Sequence, residues 1–93
     1  MIIGILTIDL HIPESQSLKN KRKVIKSIID SMQNRLNISC AEVSRHDQWQ
    51  RATLGIACVN TDQAHANATL SRAIDLVDQE TEAEIINTHM EFV

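Results

Sequence analysis

Between Ser17 and Leu36 the apolar residues Leu18, Ile25, Ile28, Ile29, Met32 and Leu36 recur at steps of three, four and seven. At 3.6 residues per turn that spacing collects them on one stripe, so the stretch reads as a single amphipathic helix. Val24 widens the stripe. Ser17 is placed to cap it, because its hydroxyl oxygen can accept from an orphan N–H of the first turn. Asn20 stands where a glutamate would complete a capping box. Pro13 closes the preceding segment, since it cannot continue inside a helix. Each large aliphatic that is buried contributes roughly 1.5–3 kcal/mol before conformational entropy is charged against it. A helix with one such stripe must be covered, and its neighbours in sequence read as the strands that do so.

Met1 to Leu10 carries Ile2, Ile3, Ile5, Leu6 and Ile8 and begins to alternate only where Thr7 and Asp9 enter, the pattern of a central strand. Gly4 inside it implies a close approach by a helix or another backbone. Residues 11–16 form a turn ahead of the long helix. Asn37 to Ser44 reads as a second strand with Ile38, Cys40 and Val43 as its apolar residues, followed by the polar loop 45–50. Arg51 to Asn60 is a third strand, with Leu54, Ile56 and Cys58 on one side and Thr53, Gly55 and Ala57 on the other. A second helix starts from Thr61 or Asp62 as N-cap, runs to about Gln79 and buries Ala66, Leu70, Ala73, Ile74 and Val77. Ala83 to Phe92 is the last strand, with Ile86, Met90 and Phe92 inward. The order is βαββαβ across one domain, residues 1–93, without repeat or linker. Right-handed crossovers then give an α+β, ferredoxin-like sandwich: an antiparallel four-stranded sheet in order 4-1-3-2, with both helices on one face. A doubly wound sheet is disfavoured by the short chain and the short connection between the second and third strands.

Several chemistries are set aside by composition. No apolar run is long enough to span a bilayer, and the N-terminus lacks a basic region and cleavage site, so a cytoplasmic protein is expected. Cys40 and Cys58 lie in strands and are expected to be reduced small hydrophobes. His11, His46, His65 and His89 are scattered over different elements with no H-x-x-x-H or C-x-x-C spacing, so neither metal nor cofactor is expected. With two glycines in the chain, a phosphate-cradling loop has little to be built from. The acylphosphatase version of this fold needs a Gly- and Arg-containing loop after the first strand, and residues 10–16 hold neither. His46 and Asp47 are adjacent in a loop, a weak basis for an acid–base pair.

Charge is more informative. Residues 1–51 hold eight Lys/Arg against five Asp/Glu, a net of +3, and residues 52–93 hold one against seven, a net of −6. The positive half centres on Lys19, Lys21, Arg22, Lys23 and Lys26 in the first turns of the long helix. Cations there oppose the helix dipole, so local stability does not account for them, whereas a negatively charged partner does. The uncovered sheet face, with Ile3, Ile5, Thr7, Thr53, Gly55, Ala57, Asn87 and His89, offers a modest apolar patch suited to self-association. Its first- and third-strand positions hold Ile, Thr, Gly and Ala rather than aromatics, so base stacking across the sheet, as in RNA-recognition motifs, is not expected. Trp49, flanked by Arg45, Gln48, Gln50 and Arg51, is either a lid over the helix end or an anchor for a partner.

The S-L-K-x-K-R motif (Ser17, Leu18, Lys19, Lys21, Arg22), the A-E-V segment (Ala41, Glu42, Val43) and W-Q-R (Trp49, Gln50, Arg51) resemble the YlxP-like family, small bacterial proteins of unknown function. The resemblance covers nearly the whole chain. It implies a ferredoxin-like fold and a link to translation, because family genes tend to lie beside those for an initiation factor and a ribosome-binding factor. It implies no catalytic residue. Asn20 departs from the acidic residue often found there. The resulting expectation is a non-catalytic binding protein that docks on ribosomal RNA or a ribosomal particle. Lys19, Lys21, Arg22, Lys23 and Lys26 would contact phosphates, and Arg45, Trp49 and Arg51 would shape the edge of the site. The alternative is a homodimeric interaction module joined through Ile3, Ile5 and the rest of the open face. A third is a small ligand sensor or enzyme with its site in the His46–Arg51 loop.

Overall fold

The computed structural model describes residues 1–93. Its elements are β1 (Ile2–His11), α1 (Leu18–Arg35), β2 (Ser39–Ser44), β3 (Arg51–Asn60), α2 (Gln63–Asp78) and β4 (Glu84–Phe92). The four strands form one antiparallel sheet in the order β2-β3-β1-β4, which is the expected ferredoxin-like arrangement read from the other edge.

The caps form as the sequence leads one to expect. Ser17 has extended backbone geometry and its side chain accepts from the Asn20 N–H at 3.0 Å. Asp62 caps α2 by accepting from the His65 N–H at 2.9 Å. The core lies between sheet and helices: Leu6, Ile8 and Leu10 of β1 and Leu54, Ile56 and Cys58 of β3 meet Ile25, Ile28 and Met32 of α1 and Ala66, Leu70, Ala73 and Val77 of α2. Gly4 faces α2 so closely that a Cβ there would come within 2.9 Å of Leu70 Cδ1. The helix therefore settles onto the strand where the side chain is missing.

Each edge strand carries one extra residue, and in β4 it changes which residue faces inward. Between Asp9↔Asn87 and Leu10↔Ile85 the β1–β4 register shifts. The shift leaves Ile86 half exposed and packs Ile85 against the core, so Ile86 is not the inward residue that alternation predicts. Between Glu42↔Leu54 and Ser44↔Thr53 the β2–β3 register shifts likewise. Val43, the extra residue, lies on the open face over Gly55, the side that alternation from Cys40 gives it. Glu42 shares the helix side of β2 with Cys40.

Candidate nucleic-acid interface

The cationic cluster on α1 divides in two. Lys21 is completely buried. Its position follows from the helix period, because Lys21, Ile25, Ile28 and Met32 form one stripe directed at the sheet. Its ammonium donates to the carbonyl oxygens of Arg45 (2.9 Å), His46 (3.3 Å) and Arg51 (3.2 Å). Those carbonyls take up its three N–H donors. Glu42 Oε2 stands 2.9 Å from Nζ as the counter-ion, itself buried and without a hydrogen bond of its own. Lys21 is therefore unavailable to a phosphate, contrary to the reading that placed it with the other basic residues. A buried charge survives only when paired and hydrogen-bonded, and the Lys21 ammonium meets both conditions.

Lys19, Arg22, Lys23 and Lys26 remain, all exposed. Their spacing of i, i+3, i+4 and i+7 lines them up as a second stripe. Only Lys26 has an acidic partner, Asp30 Oδ2 at 2.8 Å, an exposed pair of small energetic weight. Lys19, Arg22 and Lys23 form no ion pair within the molecule.

The 45–50 loop is tied to the start of α1 from several sides. Besides the three bonds from Lys21, the Gln50 side-chain amide donates to Pro13 O and Ser15 O, both at 3.1 Å, in the turn that leads into the helix cap. Ile12 N–H donates to Gln50 O at 2.8 Å, and Gln48 N–H to Arg45 O at 3.1 Å. Arg45 adopts a left-handed backbone (φ 65°), the one non-glycine residue to do so. The Lys21 bond to its carbonyl helps hold that strained turn. Within this pinned loop Trp49 remains 55 % exposed, so it is not a lid sealed over the helix end. His46 Nε2 lies 3.0 Å from Glu42 O, and His46 makes no bond to Asp47, so these two do not form an acid–base pair.

The open sheet face is also divided. One half is apolar, with Ile3, Ile5, Gly55 and Ala57 half-buried and Val43 and Val59 exposed. The other half is polar. Thr53 Oγ1 donates to Asp9 Oδ1 at 2.7 Å, Arg45 Nε lies 4.0 Å from the same oxygen, and His11 Nδ1 is 3.3 Å from Glu84 Oε2. Thr53 is only 7 % exposed, so it adds nothing to the free surface. Arg51 Nε is buried at this end without a partner.

The cysteines are unbridged, Cys40 half-buried and Cys58 buried. Burial pushes the Cys40 thiol up to about 11, so it stays protonated and unreactive at neutral pH. Hydrogen bonds from His65 lower the Asp62 carboxyl below its ordinary value, a capping effect at the start of α2. No three His, Cys, Asp or Glu residues converge as a metal-holding group. No helix is long and apolar enough to cross a membrane.

The sheet order and the two helices on one face define a ferredoxin-like α/β sandwich. The chain belongs to the family described as "Protein of unknown function (DUF503)", which matches residues 3–90. The uncharacterized protein YlxP of Bacillus subtilis (strain 168) is 34 % identical over 91 residues, covering 98 % of this chain and 99 % of its own. Among solved structures, the de novo designed protein Foldit4 is similar with a TM-score of 0.54 at 12 % identity, covering 98 % of this chain and 96 % of its own. A structural-genomics protein, YJCS, also has a TM-score of 0.54, at 14 % identity and 96 % coverage of both chains. A dimeric ferredoxin-like protein from an uncultured marine organism has a TM-score of 0.50 at 13 % identity, covering 100 % of this chain and 96 % of its own. These structural likenesses define the fold.

Proposed function

We propose that this protein is a non-catalytic RNA-binding protein that docks on ribosomal RNA or a ribosomal particle through the exposed stripe Lys19, Arg22, Lys23 and Lys26. The observation that carries the reading is that three of these four cations have no acidic partner in the molecule while lying on one helix face. Lys19 sits in the first turn of α1, where the helix dipole disfavours a cation, so its place serves a partner better than it serves the fold. Four phosphate contacts on a single strand give a log–log salt slope of about −3, from roughly −0.7 per contact. The test is co-sedimentation with purified ribosomal subunits over a salt series, wild type beside Lys19→Glu/Lys23→Glu. Salt-sensitive binding that is lost in the variant, with an unchanged unfolding midpoint, supports the reading. Binding that the variant retains sinks it.

A second reading rests on a different observation, the apolar half of the open face, where Val43 and Val59 are more than half exposed beside Ile3 and Ile5. A second copy seated there face to face would cover this patch, and one neighbour of the same fold is described as dimeric. Sedimentation equilibrium of wild type and Ile5→Lys decides it. A dimer converted to a monomer supports self-association, and a wild type monomeric at high concentration removes it.

A further inference from the structure

We propose that Trp49 is a base-stacking platform, making the RNA surface selective for single strands over duplex. The inference rests on the cationic-stripe reading and adds the class of RNA that the stripe takes.

Trp49 is anchored between immobilised neighbours. Gln50 is held by its side-chain bonds to Pro13 O and Ser15 O and by the Ile12 N–H on its carbonyl. Gln48 is held through Arg45 O, and Arg45 in turn through the buried Lys21 ammonium. The indole is the largest aromatic group of the loop and remains 55 % exposed. An exposed tryptophan on a loop fixed at both ends presents a flat apolar surface at little cost in ordering.

Placement supplies the second half of the argument. The segment that holds Gln50, Pro13 to Ser15, runs directly into the Ser17 cap and the turn carrying Lys19. Lys21, which holds the other side of the loop, lies between Lys19 and the Arg22–Lys23 pair on the same helix. The loop is therefore fastened to the N-terminal turns of α1, from which Lys19, Arg22 and Lys23 project on the side away from Lys21. Cationic groups that follow the backbone, beside an aromatic face that takes an unpaired base, are the pairing that binds single strands. A duplex keeps its bases stacked on one another, so only its phosphates would engage.

Trp49 is the only tryptophan and the chain has no tyrosine, so intrinsic fluorescence reports this position alone. The experiment titrates the full chain with a short oligoadenylate and with a blunt RNA duplex of the same length, each at several salt concentrations. The expected result is strong quenching and tighter binding for the single strand. Trp49→Ala, followed by anisotropy of labelled RNA, should weaken single-strand binding roughly 5- to 100-fold, leaving duplex affinity and salt slope unchanged. Trp49→Phe should recover most of the loss. Equal affinity for strand and duplex, no effect of Trp49→Ala, or no recovery with phenylalanine overturns the stacking role. If Lys19→Glu/Lys23→Glu still abolishes binding in that case, the cationic-stripe reading stands without it. No salt-dependent binding to either RNA overturns both.

Discussion

Lys21 and Lys23 lie two residues apart in the same helix and have opposite fates. Lys21 falls on the stripe of Ile25, Ile28 and Met32, and its ammonium fills the only site in the core where charge is matched, between Glu42 and three loop carbonyls. Lys23 falls on the opposite stripe and meets solvent. The same side-chain chemistry is therefore structural at one position and available for recognition at the other. The difference is set by helical phase, because 200° of rotation separates residues two apart. Counting basic residues along a segment overstates a binding face unless each is assigned to its side of the helix.

The sharpest way to break this comparison is to remove each charge with an apolar residue of similar length. Lys21→Met should lose about 3–5 kcal/mol, because Glu42 is left buried without its counter-ion. Lys23→Met should stay within about 0.5 kcal/mol of wild type. Urea unfolding of the two variants side by side measures this, and similar losses would erase the distinction. A middle-sized effect is expected at the turn that supports both stripes: Ser17→Ala removes the bond to the Asn20 N–H and should cost about 1 kcal/mol, read as a shift in urea midpoint at constant slope. The smallest concerns the exposed pair. Asp30→Asn should change stability by no more than about 0.5 kcal/mol, and that change should vanish in high salt, since exposed pairs are screened. A salt-resistant loss at Asp30 would mean that the exposed stripe is more structural than its accessibility indicates.

Much of the fold was legible because each element carries its own period. The 3.6-residue stripe of α1, the small-residue face of α2 and the apolar β1 and β3 fix six elements and their layering without tertiary information. The burial of Lys21 runs against its residue type, although its helical phase announces it. It sits one turn before Ile25 in the core stripe, and Glu42 shares the parity of Cys40 in β2. Lysine is so rarely buried that the default assignment to solvent overrode the phase. Ile86 was beyond alternation altogether, because an inserted residue resets which parity faces inward and leaves no compositional mark. The left-handed turn at Arg45 likewise lacks the glycine or asparagine that usually announces one. At the candidate site, Lys19, Arg22, Lys23 and Lys26 could be placed from sequence, whereas the attachment of the Trp49 loop to their helix depends on the buried lysine.

Those two inserted residues have a consequence of another kind. The order β2-β3-β1-β4 leaves β2 and β4 as the two open margins of the sheet, and each margin carries one of the register shifts. An incoming strand from another molecule needs an uninterrupted row of donors and acceptors to add on, and a bulge breaks that row and twists the margin away. The chain is thus guarded against growing sideways into an open-ended ribbon at both margins, while the flat of the sheet is left free to meet a partner.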